Sequence, residues 1–393
     1  MPGNPLARLL VVTLGVWGSA CSTPSAPLSA PTAPTSAPTA SPPASIALSV
    51  KRADACIVSR PAAWETAFAR VTALPEGTRF GLGSPAVVGP TVYGQINTAD
   101  SSGIARLDLG SGRLEELVRF GADVSGTASI AVSPPWLAWT QGNSTRNLFD
   151  WTVYARNLES GETLTLATSR RPDGAFLPGQ QPVLSLRASQ LAWSQTLPGP
   201  GPQLGSELHV FDLAARRDKV LTTGRVSAPV FSGRLLIWGE RNPGGAYSFA
   251  AVEALTLAPA PLPEALRVPG SIVFLAGAKD SFAWSAEGLM ELNVWRFDAN
   301  ERRQYRAPDI RHYFQFMQLA GGYLLWYSGV GSAILDLESG ALVDVSGSLA
   351  GGDDLIVMEQ PSRPPAKKGE IVASRVSAAR PSGLPGLGEC RRS

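Results

Sequence analysis

Cysteine and histidine are the scarcest chemistry-bearing residues in this chain, with three Cys and two His in 393 residues. A four-coordinate structural zinc site needs closely spaced Cys or His pairs, and none is present. A Ser-His-Asp triad could draw only on His209 and His312. Both read as structural or surface residues, His209 inside the alternating run Leu208-His-Val-Phe-Asp212 and His312 beside Tyr313 and Phe314. Neither a Gly-x-Ser-x-Gly elbow nor a phosphate-cradling Gly-x-x-x-x-Gly-Lys-Ser/Thr loop occurs. Charge is also sparse, at 17% of residues with a formal net charge of +2, so no field favours nucleic acid or anionic lipid as partner. Long helical periodicity is missing, which argues against a parallel α/β sheet. No cofactor or metal is expected.

Gly (40) and Pro (33) are plentiful, and 44% of residues are hydrophobic, a composition suited to many short strands joined by turns. The first residues read as an address. Arg8, an apolar run from Leu9 to Trp17 and small residues Gly18, Ser19 and Ala20 form export-signal architecture over residues 1–20. The run is too short to span a bilayer, which takes roughly 20 apolar residues. Gly18-Ser19-Ala20-Cys21 resembles the lipobox of bacterial lipoproteins, with Gly18 in place of the usual aliphatic residue, and implies that Cys21 accepts lipid. The alternative is an ordinary secretory signal cut near Ala20. Residues 21–45 follow as an almost pure Ser/Thr/Pro/Ala stretch. Such a composition cannot bury enough apolar surface to order itself and reads as an extended tether, or as an O-glycosylated stalk.

Residues 46–393 carry an internal repeat: a short apolar strand ending in an aromatic and then a polar residue. The copies are Thr91-Val-Tyr93-Gly-Gln95, Leu137-Ala-Trp139-Thr-Gln141, Leu191-Ala-Trp193-Ser-Gln195, Leu236-Ile-Trp238-Gly-Glu240, Phe282-Ala-Trp284-Ser-Ala286, Leu325-Trp326-Tyr-Ser328 and the degenerate Ile356-Val-Met358-Glu-Gln360. Aromatic-to-aromatic spacings of 46, 54, 45, 46 and 42, then 32, fit four-stranded propeller blades of about 40 to 50 residues. Alternating runs close on turn residues after each copy, as in Ile104–Leu109 before Gly110-Ser-Gly112 and Ile334–Leu337 before Glu338-Ser-Gly340. The expected fold is an all-β propeller of seven blades, each of four antiparallel strands, with six blades the alternative. The last blade is expected to combine strands near Leu355–Val376 with one from the Cys56–Leu74 region. With Cys21 lipidated, Cys56 and Cys390 remain at opposite ends of the array, placed to staple the ring by a disulfide in an oxidising compartment; two free thiols are the alternative.

The Trp residues of the repeats read as core. Period-2 geometry puts Gln95, Gln141, Gln195, Glu240 and Gln360 on the faces of their aromatics near the strand ends, where they could form a polar binding ring at one mouth of the channel or simply satisfy local backbone groups. Asp353-Asp354, after Gly351-Gly352, is the densest acidic pair and reads first as a turn, and Lys367-Lys368 reads as a solvated tip.

The Ala-Trp-Ser and Ala-Trp-Thr strands followed by hairpins with Asp-Leu or Asn-Leu turns resemble the TolB-like and WD-repeat-like β-propellers of bacterial envelope proteins, over about Pro85 to Val376. Their frequent Ser-Pro-Asp-Gly turn is replaced by Ser133-Pro134-Pro135. The resemblance implies a propeller with an envelope binding or scaffolding role, in which a monomer presents one face to a protein or glycan and meets the membrane only through its lipid. An exported hydrolase or lyase using carboxylates at the channel mouth is the alternative.

Overall fold

The computed structural model describes residues 48–390 except 122–123, 125, 199–204, 243–244, 264–265, 267–271, 287, 328–330, 366–369 and 389. The signal segment, Cys21, the tether and Lys367-Lys368 lie outside the described residues. Among those described, no helix is long and apolar enough to cross a membrane.

The chain begins with β1 (Ser49–Asp54), β2 (Cys56–Ile57), the single-turn helix α1 (Ala62–Ala67) and β3 (Val71–Ala73). Blade 1 follows as β4 (Arg79–Val88), β5 (Thr91–Asn97), β6 (Ser102–Asp108) and β7 (Leu114–Arg119). Blade 2 is β8 (Gly126–Ser133), β9 (Trp136–Gly142), β10 (Trp151–Asn157) and β11 (Thr163–Thr168), and blade 3 is β12 (Leu184–Arg187), β13 (Gln190–Leu197), β14 (Gly205–Asp212) and β15 (Arg217–Gly224). Blade 4 has β16 (Val230–Ser232), β17 (Leu235–Arg241) and β18 (Tyr247–Glu253), with a Val252–Pro259 bridge in the fourth place. Blade 5 is β19 (Ile272–Gly277), β20 (Ser281–Ala286), β21 (Glu291–Arg296) and β22 (Glu301–Arg306), and blade 6 is β23 (Gln318–Ala320), β24 (Tyr323–Tyr327), β25 (Ser332–Asp336) and β26 (Ala341–Val345). Blade 7 combines β27 (Ser348–Gly351), β28 (Ile356–Pro361) and β29 (Ser374–Ala379) with β3 from the other end of the chain. Each first strand lies against the first strand of the next blade, and β27 against β4, which closes a ring of seven. Seven blades and a closing strand from the Cys56–Leu74 region are therefore as expected from the repeats, and the six-blade alternative is excluded. Two blades carry more than four strands: β1 adds in parallel to β22, and β2 in parallel to β26, as outer fifth strands.

The turns between third and fourth strands show why the local sequence folds this way. In blade 1 the Asp108 carboxylate accepts from the Ser111 amide at 2.7 Å and Gly112 takes a positive φ of 72°; Asn157 with Gly161, and Asp336 with Gly340, repeat the device. A short polar side chain caps the turn while Gly adopts the left-handed conformation at no steric cost. Blades 3 and 4 keep the geometry with Arg216 (φ 53°) and Leu257 (φ 56°) in the Gly position.

Seven apolar clusters fill the seams between blades. From blade 2 to blade 6 the repeat Trp turns back onto the preceding blade: Trp139 meets Tyr93 and Ile104 of blade 1, Trp193 meets Ala138 and Val153 of blade 2, and Trp326 meets Ala283 and Val294 of blade 5. Tyr93 lies on the opposite face of its blade, toward blade 2, because it stands two residues after Thr91, the first paired residue of its hairpin, whereas Trp139 stands three after Trp136; Gly94 holds the Trp position, with the Phe80 ring packed over it. At the 6/7 seam the repeat aromatic is Met358. There α1 supplies Trp64, edge-on to Tyr323 at 5.5 Å, and the C-terminal tail adds Leu384 and Leu387. The Trp64 indole donates to the Pro385 carbonyl at 2.9 Å, and the Cys56–Cys390 disulfide ties the N-terminal strap to the tail. The expected staple is thus present, and it marks an extracytoplasmic protein.

Candidate functional site

Antiparallel order within every blade puts the connections between second and third strands, and the crossovers between blades, on one face of the ring. The tight hairpins between first and second strands lie on the other. The two faces differ in chemistry.

On the crossover face, seven large apolar side chains stand in solvent: Leu148, Phe149, Val183, Val273, Ile310, Phe316 and Tyr327. Among the described residues the other five exposed large apolar ones are Val50, Ile57, Val71 and Val220 at the outer rim and Leu255 in a turn. The loop holding Leu148 (67% exposed) and Phe149 (49%) is tied down from within. Asn143 donates to Asp150 and Thr152 at 3.0 and 2.9 Å, the Ser144 hydroxyl accepts from the Arg146 and Asn147 amides, and the Asn147 side chain accepts from the Phe149 amide at 3.1 Å. Arg170 pairs with Asp150 at 3.1 Å. The polar residues face inward, so the two apolar ones are held outward.

Across the ring, the connection into blade 6 is equally fixed. Asp309 accepts from the Arg311 amide at 2.8 Å, His312 bridges Asp309 and Asp344 at 2.7 and 2.8 Å, and Phe314 packs on Trp326. Hydrogen bonds from the Arg311 guanidinium, then from His312, hold the Asp309 carboxyl well below the usual carboxylate range. Phe316 then takes a positive φ of 47°, which a bulky residue rarely adopts, and places its ring against Phe274 at 5.0 Å while remaining 59% exposed.

The five residues of the expected polar ring sit near the crossover-face ends of second strands, one strand outward from the channel-lining first strands. Gln95 donates to Asn97 at 3.1 Å and accepts from the Thr127 amide of blade 2; Gln141 donates to Asn143 at 3.4 Å. Glu240 accepts from the Trp238 indole at 2.8 Å, and Gln360 donates to Ser346. Gln195 is partly buried on β13. Among the described residues no hydrogen bond joins one of the five to another, and Gln95 faces blade 2 with Tyr93 while Gln141 shares the face of Trp139.

The hairpin face holds a cavity of about 810 Å³ bounded by turns of blades 5, 6, 7 and 1 and by the tail, with Asp280, Asp353, Asp354, Glu338, Arg296 and Arg380 on its walls. Asp353 and Asp354 form the expected turn, closed by a Gly352 amide to Leu355 carbonyl bond of 3.0 Å. Asp336, also at this cavity, is saturated by the Glu338, Ser339 and Leu387 amides. Arg296 faces Glu338 at 3.4 Å. Among the described residues no group of His, Cys, Asp or Glu is placed to hold a metal ion. His209 stacks on Trp193 at 5.0 Å and bonds Asp218 at 2.8 Å, a core role matching the expectation for it.

The apolar crossover-face residues were not singled out in the sequence. Their signal is faint: Leu148-Phe149 interrupts the polar run Ser144 to Asp150, and Phe316 ends an otherwise buried aromatic run.

No protein-family model and no curated protein matches the chain. Among solved structures it is similar to a prolyl endopeptidase (15% identity, TM-score 0.48, covering 77% of this chain and 47% of that one). It is also similar to TolB from Acinetobacter baumannii (15%, 0.38, 60% and 58%) and to the β-propeller domain of the trilobed protease from Pyrococcus furiosus (10%, 0.48, 79% and 96%). The chain thus spans about half the length of that prolyl endopeptidase. At such identities the likeness is one of fold, and propellers host many unrelated functions.

Proposed function

We propose that this protein is an exported, lipid-anchored, non-catalytic binding protein whose crossover face docks a protein partner. The carrying observation is the gathering of exposed apolar side chains on that face, on loops locked by their own polar groups. Exposed apolar groups rimmed by polar residues mark interaction sites, and loops that need no ordering lower the entropic cost of binding. Leu148, Val183, Val273 and Ile310 are aliphatic, which suits a protein surface better than a glycan. Anchoring through Cys21 rests on the sequence.

A photo-crosslinking residue placed in turn at Phe149, Phe316 and the rim position Val220 tests the reading in producing cells. Adducts of one discrete mass from Phe149 and Phe316, absent from Val220, are expected, and Ile310→Asp should suppress the Phe316 adduct. Equal labelling from all three positions would contradict it. The mature N-terminus, read by intact mass from membrane fractions, tests the anchor: a chain starting at Cys21 with added acyl mass is expected, and an unmodified soluble chain contradicts it.

The hairpin-face cavity favours the second reading, a carboxylate-dependent enzyme. Such a site needs two acids in unlike environments, whereas Asp353 and Asp354 are both exposed in one turn. Turnover of any glycoside or peptide substrate that Asp353→Asn with Asp354→Asn abolishes would support it.

A further inference from the structure

The 7/1 seam contains no Trp, and its cluster is aliphatic apart from Phe80. Buried beside it is a carboxyl group with no salt-bridge partner among the described residues: Glu359 of β28, only 3% exposed. Glu359 Oε1 lies 2.5 Å from Ser374 Oγ on β29, and that hydroxyl accepts from the Phe80 amide of blade 1 at 2.9 Å and reaches the Phe80 carbonyl at 3.5 Å. The Ser374 amide also donates to the Thr78 carbonyl at 3.1 Å. Ser374 is therefore the polar hinge between the last blade and the first.

We propose that Glu359 and Ser374 form a proton-operated closure of the ring, tight when Glu359 is neutral and loosened when it is ionised. The hydroxyl has one proton and two lone pairs. When Glu359 is protonated, its O–H donates to Ser374 Oγ. The serine proton is then free to donate to the Phe80 carbonyl, so that Ser374 bonds both the amide and the carbonyl of blade 1. When Glu359 loses its proton to solvent, the carboxylate accepts a hydrogen bond from the serine O–H, the bond to the Phe80 carbonyl is lost and a charge stays buried at the seam.

The charged groups on the packing strands are few. Arg79 at the start of β4 is exposed and acts on the carboxyl through its charge, Arg375 on β29 is exposed, and β27 and β3 carry none. Burial raises the Glu359 carboxyl above its ordinary value, opposed more weakly by the Ser374 bond, by Arg79 and by the hydroxyl of Ser348, which pairs with Glu359 across β27 and β28. A raised folded-state value means that the contribution to stability is complete below the ordinary 4.5 and is lost as pH rises through the folded value.

The test compares thermal midpoints of the oxidised wild type and Glu359→Gln from about pH 4.5 to pH 8. The amide stays neutral, so at the acid end the two should agree, and at pH 8 the variant should melt higher by at least about 1 °C. Parallel curves, or a variant that melts lower at pH 8, overturn the proposal. Should Glu359→Gln fail to fold, wild-type amide exchange decides, corrected for the chemical exchange rate. Protection of β4 and β29 relative to β13 should fall as pH rises, and a constant ratio overturns the proposal.

Discussion

The seams between blades 1 and 6 and the two seams on either side of blade 7 solve the same packing problem by different means. In the first group a Trp from the repeat itself wedges onto the preceding blade. At 6/7 the repeat has decayed to Met358, and the missing ring is supplied from 294 residues earlier by Trp64, backed by the tail and the disulfide. At 7/1 the ring comes from Phe80 on the first strand of blade 1, packed over Gly94, and a buried Glu–Ser pair adds a polar contact. A closed ring needs every seam filled, but it does not need the repeat to fill it. The ends of the chain are free to specialise where the repeat weakens.

The largest expected effect breaks the equivalence of the two kinds of wedge. Trp64→Ala at 6/7 and Trp193→Ala at 2/3 each remove a fully buried indole, and each should cost about 3–5 kcal/mol in denaturant unfolding. A Trp64→Ala cost below about 1 kcal/mol would show that α1 merely decorates the seam. Next comes the staple. Cys56→Ser with Cys390→Ser should cost about 2–4 kcal/mol, since the bond closes a loop across most of the chain; an unchanged denaturation midpoint would mean that strap and tail hold without it.

A smaller effect separates the strap from the 7/1 seam by the sign of its pH dependence. Glu301 on β22 pairs with Lys51 of the strap at 2.5 Å and with Arg303. Hydrogen bonds from Lys51 and then Arg303 pull its carboxyl below the ordinary 4.5. Its contribution is therefore present above about pH 4.5 and is lost as pH falls further, the reverse of Glu359. Glu301→Gln should flatten the acid limb of the melting curve and leave the limb above it intact; a variant that keeps the full acid limb would remove Glu301 from the strap's account. The smallest effect is expected at the rim between regular blades, where Arg216 meets Glu162 at 2.7 Å with both side chains about half exposed. Arg216→Ala should change stability by no more than about 0.5 kcal/mol, and a larger loss would show that the rim turns couple the blades.

Much of this architecture was legible in the sequence, for reasons that particular residues make plain. Trp139, Trp193, Trp238, Trp284 and Trp326 are large rings at blade spacing, and Asp108, Asn157 and Asp336 announce turns by their own chemistry. Cys56 and Cys390 could be paired because so few cysteines compete. The parallel strands β1 and β2 were not legible: β1 is exposed along its whole length, so it carries no alternation to read. Nor was the place of Tyr93 on the other side of its blade, because the pairing of Val88 with Thr91 that sets its register leaves no mark on the spacing of the repeat. Trp64 lies outside any repeat, and its partners Tyr323 and Pro385 are hundreds of residues away. The candidate site was the least legible part. Loops have no period, and the exposure of Phe149 and Phe316 follows from side-chain bonds and a backbone conformation that only the fold sets.

The central claim is that the two ends of the chain, and not the repeat, hold the last blade in the ring. Amide hydrogen exchange of the intact protein before and after reduction of Cys56–Cys390 tests it most directly. Loss of protection confined to β2, α1, β26 and the strands of blade 7, with β9, β13 and β20 unchanged, is the predicted result. Loss spread evenly over all seven blades, or none in blade 7, would contradict it.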